Sequence, residues 1–253
     1  MGLTVVAPLV IFAISFVFPM LGMGGSQVYV PALLWMGMDL KTEAIPLALL
    51  LNLVSSSSAT LTYGRRQLIE WRTAAFFALA AFLLAPLGAR VNVELSPKTL
   101  ISVFAAFTAL ASIVMLSGWR PKRKVSSEQG KLALGLGGGG ALGFVCGLIG
   151  RGGGSLAVPI LYQAGLNAKN AAATSIFIVA WSSLASFLSH IRLAARPNWS
   201  IWAPCVIAVV IGSQCGSRLM VEKLNARGVR LLFGIALAGV AAAMIIHDVI
   251  MAK

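Results

Sequence analysis

The sequence predicts an all-α polytopic membrane protein made of two homologous repeats, the inverted arrangement being favoured. Each repeat holds four long helices plus a glycine-broken half-helix. Three observations carry this reading. Hydrophobic residues make up 58% of the chain and charged residues 11%, with a mean hydropathy of +0.90. An ordinary soluble domain carries about 25% charged residues, so 253 residues of this composition need a bilayer to receive their apolar surface. The apolar residues also fall in runs separated by short basic stretches. Finally, the chain repeats itself.

The runs cover roughly 3–21, 26–37, 42–63, 71–90, 97–117, 131–149, 154–165, 169–191, 199–218 and 228–250. Most approach the ~20 residues of a spanning helix. The runs 26–37 and 154–165 reach about half that length. Each follows a glycine cluster, Gly22-Met23-Gly24-Gly25 in one case and Gly150-Arg151-Gly152-Gly153-Gly154 in the other. The polar stretch from Arg120 to Lys131 divides the chain into a first repeat (1–119), a basic connecting loop (120–130) and a second repeat (131–253).

At an offset of 128 residues Gly24 and Gly25 meet Gly152 and Gly153, and Pro31 meets Pro159. Gly37, Lys41, Ser55, Trp71, Gly88, Arg90 and Glu94 meet Gly165, Lys169, Ser183, Trp199, Gly216, Arg218 and Glu222 without a gap. Chance apolar similarity would not align the Pro, Trp, Arg and Glu as well, so the halves arose by duplication. If each glycine cluster lies within one long span, the halves are parallel. If it is the bend of a hairpin, they are inverted. The inverted arrangement gathers Arg65, Arg66, Arg72, the basic residues from Arg120 to Lys131, Lys169, Arg218, Lys223, Arg227 and Arg230 on one side. That is the stronger positive-inside bias, and it places both termini outside.

Charge and cysteine content exclude other classes. The net charge of +13 has no soluble domain to present it to nucleic acid, and loop Lys and Arg orient spans instead. Cys146, Cys205 and Cys215 lie in apolar runs without a Cys-x-x-Cys pair. They read as small buried hydrophobes, with no disulfide framework, metal site or cofactor expected. No basic segment precedes the first run, so a cleaved signal peptide is not expected. All seven acids fall in loops or near span ends, which argues against a buried proton relay or cation site. With two histidines and neither a His-Glu-x-x-His nor a Gly-x-Ser-x-Gly pattern, no catalytic set is present.

The glycine clusters are the candidate site. Each runs directly into a short helix, opened by Ser26 and Gln27 in the first half and by Gly154 and Ser155 in the second. The first N–H groups of a helix lack internal partners and carry the positive end of its dipole. Glycine allows the chain to bend and a ligand to approach the backbone. Two such termini facing each other near the midplane would cradle a small oxyanion through Gly24, Gly25, Ser26, Gln27, Gly152, Gly153, Gly154 and Ser155. The alternative is that these glycines only allow close helix packing, which is the preferred reading of the face Gly135, Gly139, Gly143, Gly147. The run Gly135 to Gly140 is not a dinucleotide loop, because no strand precedes it. Arg151 either faces the substrate path and attracts the anion, or snorkels to the headgroups.

Polar residues inside spans include Asn52, Ser55 to Ser58, Thr60, Thr62, Thr174, Ser175, Ser182, Ser183, Ser186, His190 and Gln214. Runs 42–63 and 169–191 are repeat equivalents rich in hydroxyls. They either line the path, with Asn52, Ser55, Thr174 and Ser175 contributing to the site, or hydrogen-bond between helices. His190, near a span end, is expected at the solvated interface.

Gly22 to Pro31 and its partner Gly150 to Pro159 carry the pattern Gly-x-Gly-Gly-x-x-x-x-Val-Pro. This doubled pattern resembles the twin signatures of the TauE/SafE sulfite exporter family, as do Ala172-Ala173-Thr174-Ser175 and Arg90/Arg218. The first half departs from the family pattern at Ile45-Pro46-Leu47, and Arg151 stands where the motif usually has an apolar residue. The resemblance implies a multi-pass transporter of the cell (inner) membrane, moving sulfite, sulfonates or related sulfur oxyanions and not an enzyme. The partners implied are the bilayer and the small anion, with a homodimer admitted but not required. A membrane scaffold or assembly factor with packing glycines is the alternative.

Overall fold

The computed structural model describes residues 2–117, 127–150, 154–191 and 197–223, with scattered positions beyond. Among the described residues the chain is helical and has no strand. The helices are α1 (Gly2–Val17), α2 (Ser26–Trp35), α3 (Ile45–Arg65), α4 (Trp71–Glu94), α5 (Pro97–Leu116), α6 (Glu128–Ile149), α7 (Gly154–Gln163), α8 (Ala168–His190) and α9 (Trp199–Lys223). A π-helical turn, Leu40–Ala44, leads into α3. Six segments are long and apolar enough to cross a membrane: Thr4–Leu21, Leu40–Arg65, Trp71–Glu94, Gln129–Ile149, Ala168–His190 and Trp199–Lys223. Most of the connecting loop and the last apolar run lie outside the described residues.

The distribution of side chains is that of a protein solvated by hydrocarbon. Leu79 and Leu83 on α4, Val5 and Leu9 on α1, and Ile207 and Ile211 on α9 point outward, exposed. Asn52, Ser55, Ser56, Ser58, Ser182, Ser183 and Ser186 are buried. Polar groups inside and large apolar groups outside is the arrangement that lipid favours, since every buried polar group needs a partner within the protein.

The duplication is visible in the backbone. The half-helices α2 and α7 begin 128 residues apart and have equal length, and α4 and α9 both begin at a tryptophan. Gly22 and Gly150 adopt positive φ at equivalent positions, as do Gly37 and Gly165. Asp39 caps the turn ahead of α3 through Lys41 N–H and Thr42 N–H, and its equivalent Asn167 caps α8 through Asn170 N–H. Lys41 Nζ donates to Val93 O and Leu95 O, while Lys169 Nζ donates to Val221 O. Each lysine thereby meets carbonyls at the C-terminal end of a helix, where positive charge is favourable.

The two halves interlock. Helix α4 packs along α6, and α1 along α9. A Cβ on Gly139, Gly143 or Gly147 would collide with the backbone of Phe77, Ala81 or Ala85. Gly88 abuts Phe144 O, and its equivalent Gly216 abuts Phe16 O. These small residues let helix backbones touch, so the glycine face of α6 is a packing face, as expected.

The contacts fix relative directions. Gly135, Gly139, Gly143 and Gly147 meet Phe77, Ala81 and Ala85 in ascending order, so α4 and α6 run the same way. Ser58 and Thr62 bond to Gln214, and Arg66 pairs with Glu222, so α3 and α9 also run together. Glu70 N–H, just past the end of α3, donates to Thr174 near the start of α8. Helices α3 and α8 therefore cross in opposite directions at the centre, where Asn52 Nδ2 donates to Ser183 Oγ at 2.6 Å.

Two expectations are corrected. His190 is fully buried, with Nδ1 2.9 Å from Ser186 O, and does not sit at a solvated interface. It falls in the last turn of a helix that is packed on several sides, so the span end offers it no water. Cys146 and Cys205 are buried, but Cys215 is exposed because it lies on the outer face of α9.

Candidate functional site

The first glycine cluster is a sharp bend. The 3₁₀ turn Pro19–Leu21 ends at Gly22 with φ 81°, and Gly24 and Gly25 follow at φ 75° and 112°. These backbone states are strained for any residue with a Cβ. Space is equally limiting. A Cβ on Gly24 would run into the Asn52 amide and Ser56 Oγ, and one on Gly25 would meet the Tyr29 ring. Glycine here is required by the turn and by the side chains folded over it, before any ligand is considered.

Helix α2 starts at this bend. Its first N–H groups are partly satisfied: Val28 and Tyr29 N–H close on Gly25 O, and Ser26 N–H donates to Asn52 Oδ1 at 3.1 Å. Asn52 thus caps α2 from a neighbouring helix, a role usually filled by the residue just before the helix. Its amide links α2, α3 and α8 through Ser26 and Ser183. Inside α2, Pro31 has no N–H to offer the Gln27 carbonyl, and Pro159 leaves the same gap at Ser155 in α7.

The second half-helix comes to the same place. A Cβ on Gly154, the first residue of α7, would strike Gly22 O and Met23 Cα. Ser175 Oγ, from α8, shares its proton between Gly22 O at 2.7 Å and Ala172 O at 2.9 Å. The start of α7 therefore rests against the turn that precedes α2. Arg151, Gly152 and Gly153 lie outside the described residues, and the Ser155 side chain with them.

Of the residues singled out in the sequence, Gly24, Gly25, Ser26, Asn52, Gly154 and Ser175 converge on this bend. Gln27 and Ser55 are buried beside it. Thr174 does not join them: its hydroxyl accepts from Glu70 N–H and fastens the loop ahead of α4. Ser56, Ser183 and Tyr29 belong to the cluster, although spacing alone did not separate them from the other polar or aromatic residues of their helices.

Several buried polar groups have no hydrogen-bond partner within the protein, among them Tyr29 Oη, Ser55 Oγ and His190 Nε2, and two of the residues concerned lie at the start of α2 and beside Gly24. Gln27 is fully buried, yet neither its Oε1 nor its Nε2 has a hydrogen-bond partner. Ser56 Oγ, beside Gly24, is likewise without one. Native proteins pair nearly all buried polar groups with protein, water or ligand. Among the described residues no carboxylate, lysine or arginine is buried, so the polar interior consists of neutral groups.

The family model for the sulfite exporter TauE/SafE matches residues 7–244. The probable membrane transporter protein YunE of Bacillus subtilis is 26% identical over 225 residues, covering 79% of this chain and 81% of its own. The probable membrane transporter protein y4hK of Sinorhizobium fredii is 26% identical over 231 residues, covering 89% and 92%. A probable membrane transporter protein of Xylella fastidiosa is 25% identical over 215 residues. No solved structure matches the chain significantly. With two interlocked helical repeats, apolar outer faces and a family match across nearly its whole length, the chain belongs to the TauE/SafE sulfite exporter family and is a multi-pass membrane transporter, not an enzyme.

Proposed function

We propose that this transporter moves a small sulfur oxyanion, of the sulfite or organosulfonate class, across the cell (inner) membrane. The anion would bind where α2 and α7 begin. The observation that carries this is the buried, unpartnered amide of Gln27 in the first turn of a half-helix. Nε2 is a neutral donor, and it adds to the positive end of the α2 dipole. A site of neutral donors and helix ends, with no carboxylate nearby to repel an anion, suits a small oxyanion better than a cation. Ser56 adds an unpartnered hydroxyl at the same bend. Arg151, in the equivalent cluster, would add a full positive charge that favours a dianion over a monoanion.

The opposed directions of α3 and α8 support halves inserted with inverted orientation. Each half-helix would then enter from one face and end near the midplane. The test is flux of sulfite, taurine-like sulfonates, chloride and ammonium in proteoliposomes. Sulfite flux should exceed the others and be lost in Gln27→Leu. Equal flux of sulfite and chloride, or undiminished sulfite flux in Gln27→Leu, would reject the reading.

A further inference from the structure

A second polar feature lies away from the glycine bend. Between the end of α3 and the C-terminal part of α9 is a cavity of about 360 Å³, lined among others by Thr62, Arg65, Arg66, Gln214, Arg218 and Glu222. Three guanidinium groups face one carboxylate there. That carboxylate, Glu222, is 3.8 Å from Arg66 and half exposed, so it screens the cavity only in part. Arg65 and Arg218 have no acid of their own on this wall.

The floor of the cavity is built, not incidental. Gln214 Nε2 donates to Ser58 O and Ser58 Oγ at 2.8 Å, and its Oε1 accepts from Thr62 Oγ1 at 3.1 Å. Below this bridge the face of α3 continues inward through Ser55 to Asn52, the residue that caps α2. A row of hydroxyls and amides thus connects the arginines to the glycine bend, with Gln214 across it.

The repeat supplies an internal comparison. The equivalent position between α4 and α8 also has a cavity, of about 470 Å³, lined by Pro86, Arg90, Ser189 and others. Pro86 is the equivalent of Gln214 and Arg90 of Arg218, while the equivalents of Arg65 and Arg66 are Leu193 and Ala194 in sequence. Among the described residues, the polar floor at Gln214 in one copy is therefore replaced by Pro86 in the other, while an arginine, Arg218 or Arg90, stands beside each. Loop arginines that merely orient spans account for Arg65 and Arg66. They do not account for the Gln214 bridge, at a position that is Pro86 in the other repeat.

We propose that the Arg65–Arg66–Arg218 cavity is an anion-binding vestibule, which captures a small oxyanion at one membrane face and delivers it past Gln214 to the glycine bend. It rests on the anion reading of that bend, but its test separates the two. In proteoliposomes of zwitterionic lipid alone, with sulfite as the probe, Arg218→Gln should raise KM about tenfold with little change in kcat, the lower end of what a charged cleft adds to capture rates. Arg218→Lys should retain most of the wild-type KM, and Glu222→Gln should lower KM. All these differences should shrink at high ionic strength.

Equilibrium binding of radiolabelled sulfite to Gln27→Leu protein removes the inner site from the measurement. Residual binding that disappears with Arg218→Gln supports the vestibule, even if sulfite proves not to be transported. Residual binding indifferent to Arg218→Gln, or a Glu222→Gln variant with raised KM, overturns it. Adding anionic phospholipid distinguishes the source of the ligand. If Arg218→Gln changes only retention of that lipid and leaves sulfite KM unchanged in zwitterionic membranes, the cavity holds a headgroup and the proposal fails.

Discussion

Gln27 and Asn52 are both buried amides at the start of α2 or against it, but should respond oppositely to mutation. Gln27 has a buried amide with no partner, so Gln27→Leu removes an unsatisfied group while keeping its bulk. The ligand-free variant should be as stable as wild type or more so, by about 1 kcal/mol, yet inactive. Thermal unfolding in detergent beside a flux assay reads both, and a destabilised Gln27→Leu would mean the amide has an internal partner after all. Asn52 spends both ends of its amide on Ser26 N–H and Ser183 Oγ. Asn52→Leu should therefore destabilise by about 3 kcal/mol, a lost cap plus a buried hydroxyl left unpaired. Unchanged melting would show that the cap is dispensable. The sequence marked Asn52 as a polar group inside a span and Gln27 as one of the residues opening the first half-helix. It could not say which was already satisfied, because the partners of Asn52 come from α2 and from α8, 131 residues away. For the same reason Thr174, beside Ser175 in the chain, turned out to serve the loop at Glu70.

At the scale of elements, glycine has two separable uses on α6. Gly143 lies against the Ala81 backbone, whereas Gly137 has nothing within 4 Å of where a Cβ would stand. Gly143→Val should cost about 3 kcal/mol or more, since backbone cannot yield as a side chain does. Gly137→Ala should be neutral or stabilising by about 0.5–1 kcal/mol. Fluorescence-detected gel filtration after a heat step ranks the two, and equal tolerance would mean that α4 and α6 are not in backbone contact. The start of α3 offers a pH test outside the span. Hydrogen bonds from the Thr42 backbone and hydroxyl, with help from Lys41, hold the Asp39 carboxyl below its usual range. A folded-state pKa below the unfolded one adds stability above the unfolded value, and that contribution disappears as pH falls through the folded value. Asp39→Asn should be less stable than wild type at neutral pH and should converge with it in acid. A gap that widens toward acid would assign the cap a different origin. The second repeat already has a neutral cap at this place, Asn167. Helix limits and half-helices were legible because the pattern recurs at a fixed offset with the same Pro, Gly and Trp punctuation. Burial of His190 was not legible, because it depends on what packs over the last turn of α8.

At the scale of the whole molecule, the inverted arrangement requires Ser126 and Lys253 to lie on opposite sides of the membrane. Reporter fusions at those two positions should give opposite signals, and the same signal at both would reject it. The duplication was plain in the sequence; the pairing of helices between halves was not, because nothing in a one-dimensional offset says that α1 seeks α9 and α4 seeks α6. That interlocking has a genetic consequence. The glycine-mediated backbone contacts described here, Gly88 with Phe144 and Gly216 with Phe16, all join one half to the other. A single half, expressed alone, would leave these grooves empty and should be degraded by the cell. Two halves made from separate genes, divided between Arg120 and Gly130, should find each other and copurify. A one-repeat ancestor with this packing would have had to work as an antiparallel pair, its copies inserting in both orientations. Fusion of its gene to a second copy then released each half to diversify, which is how Gln214 could come to stand where the other half has Pro86.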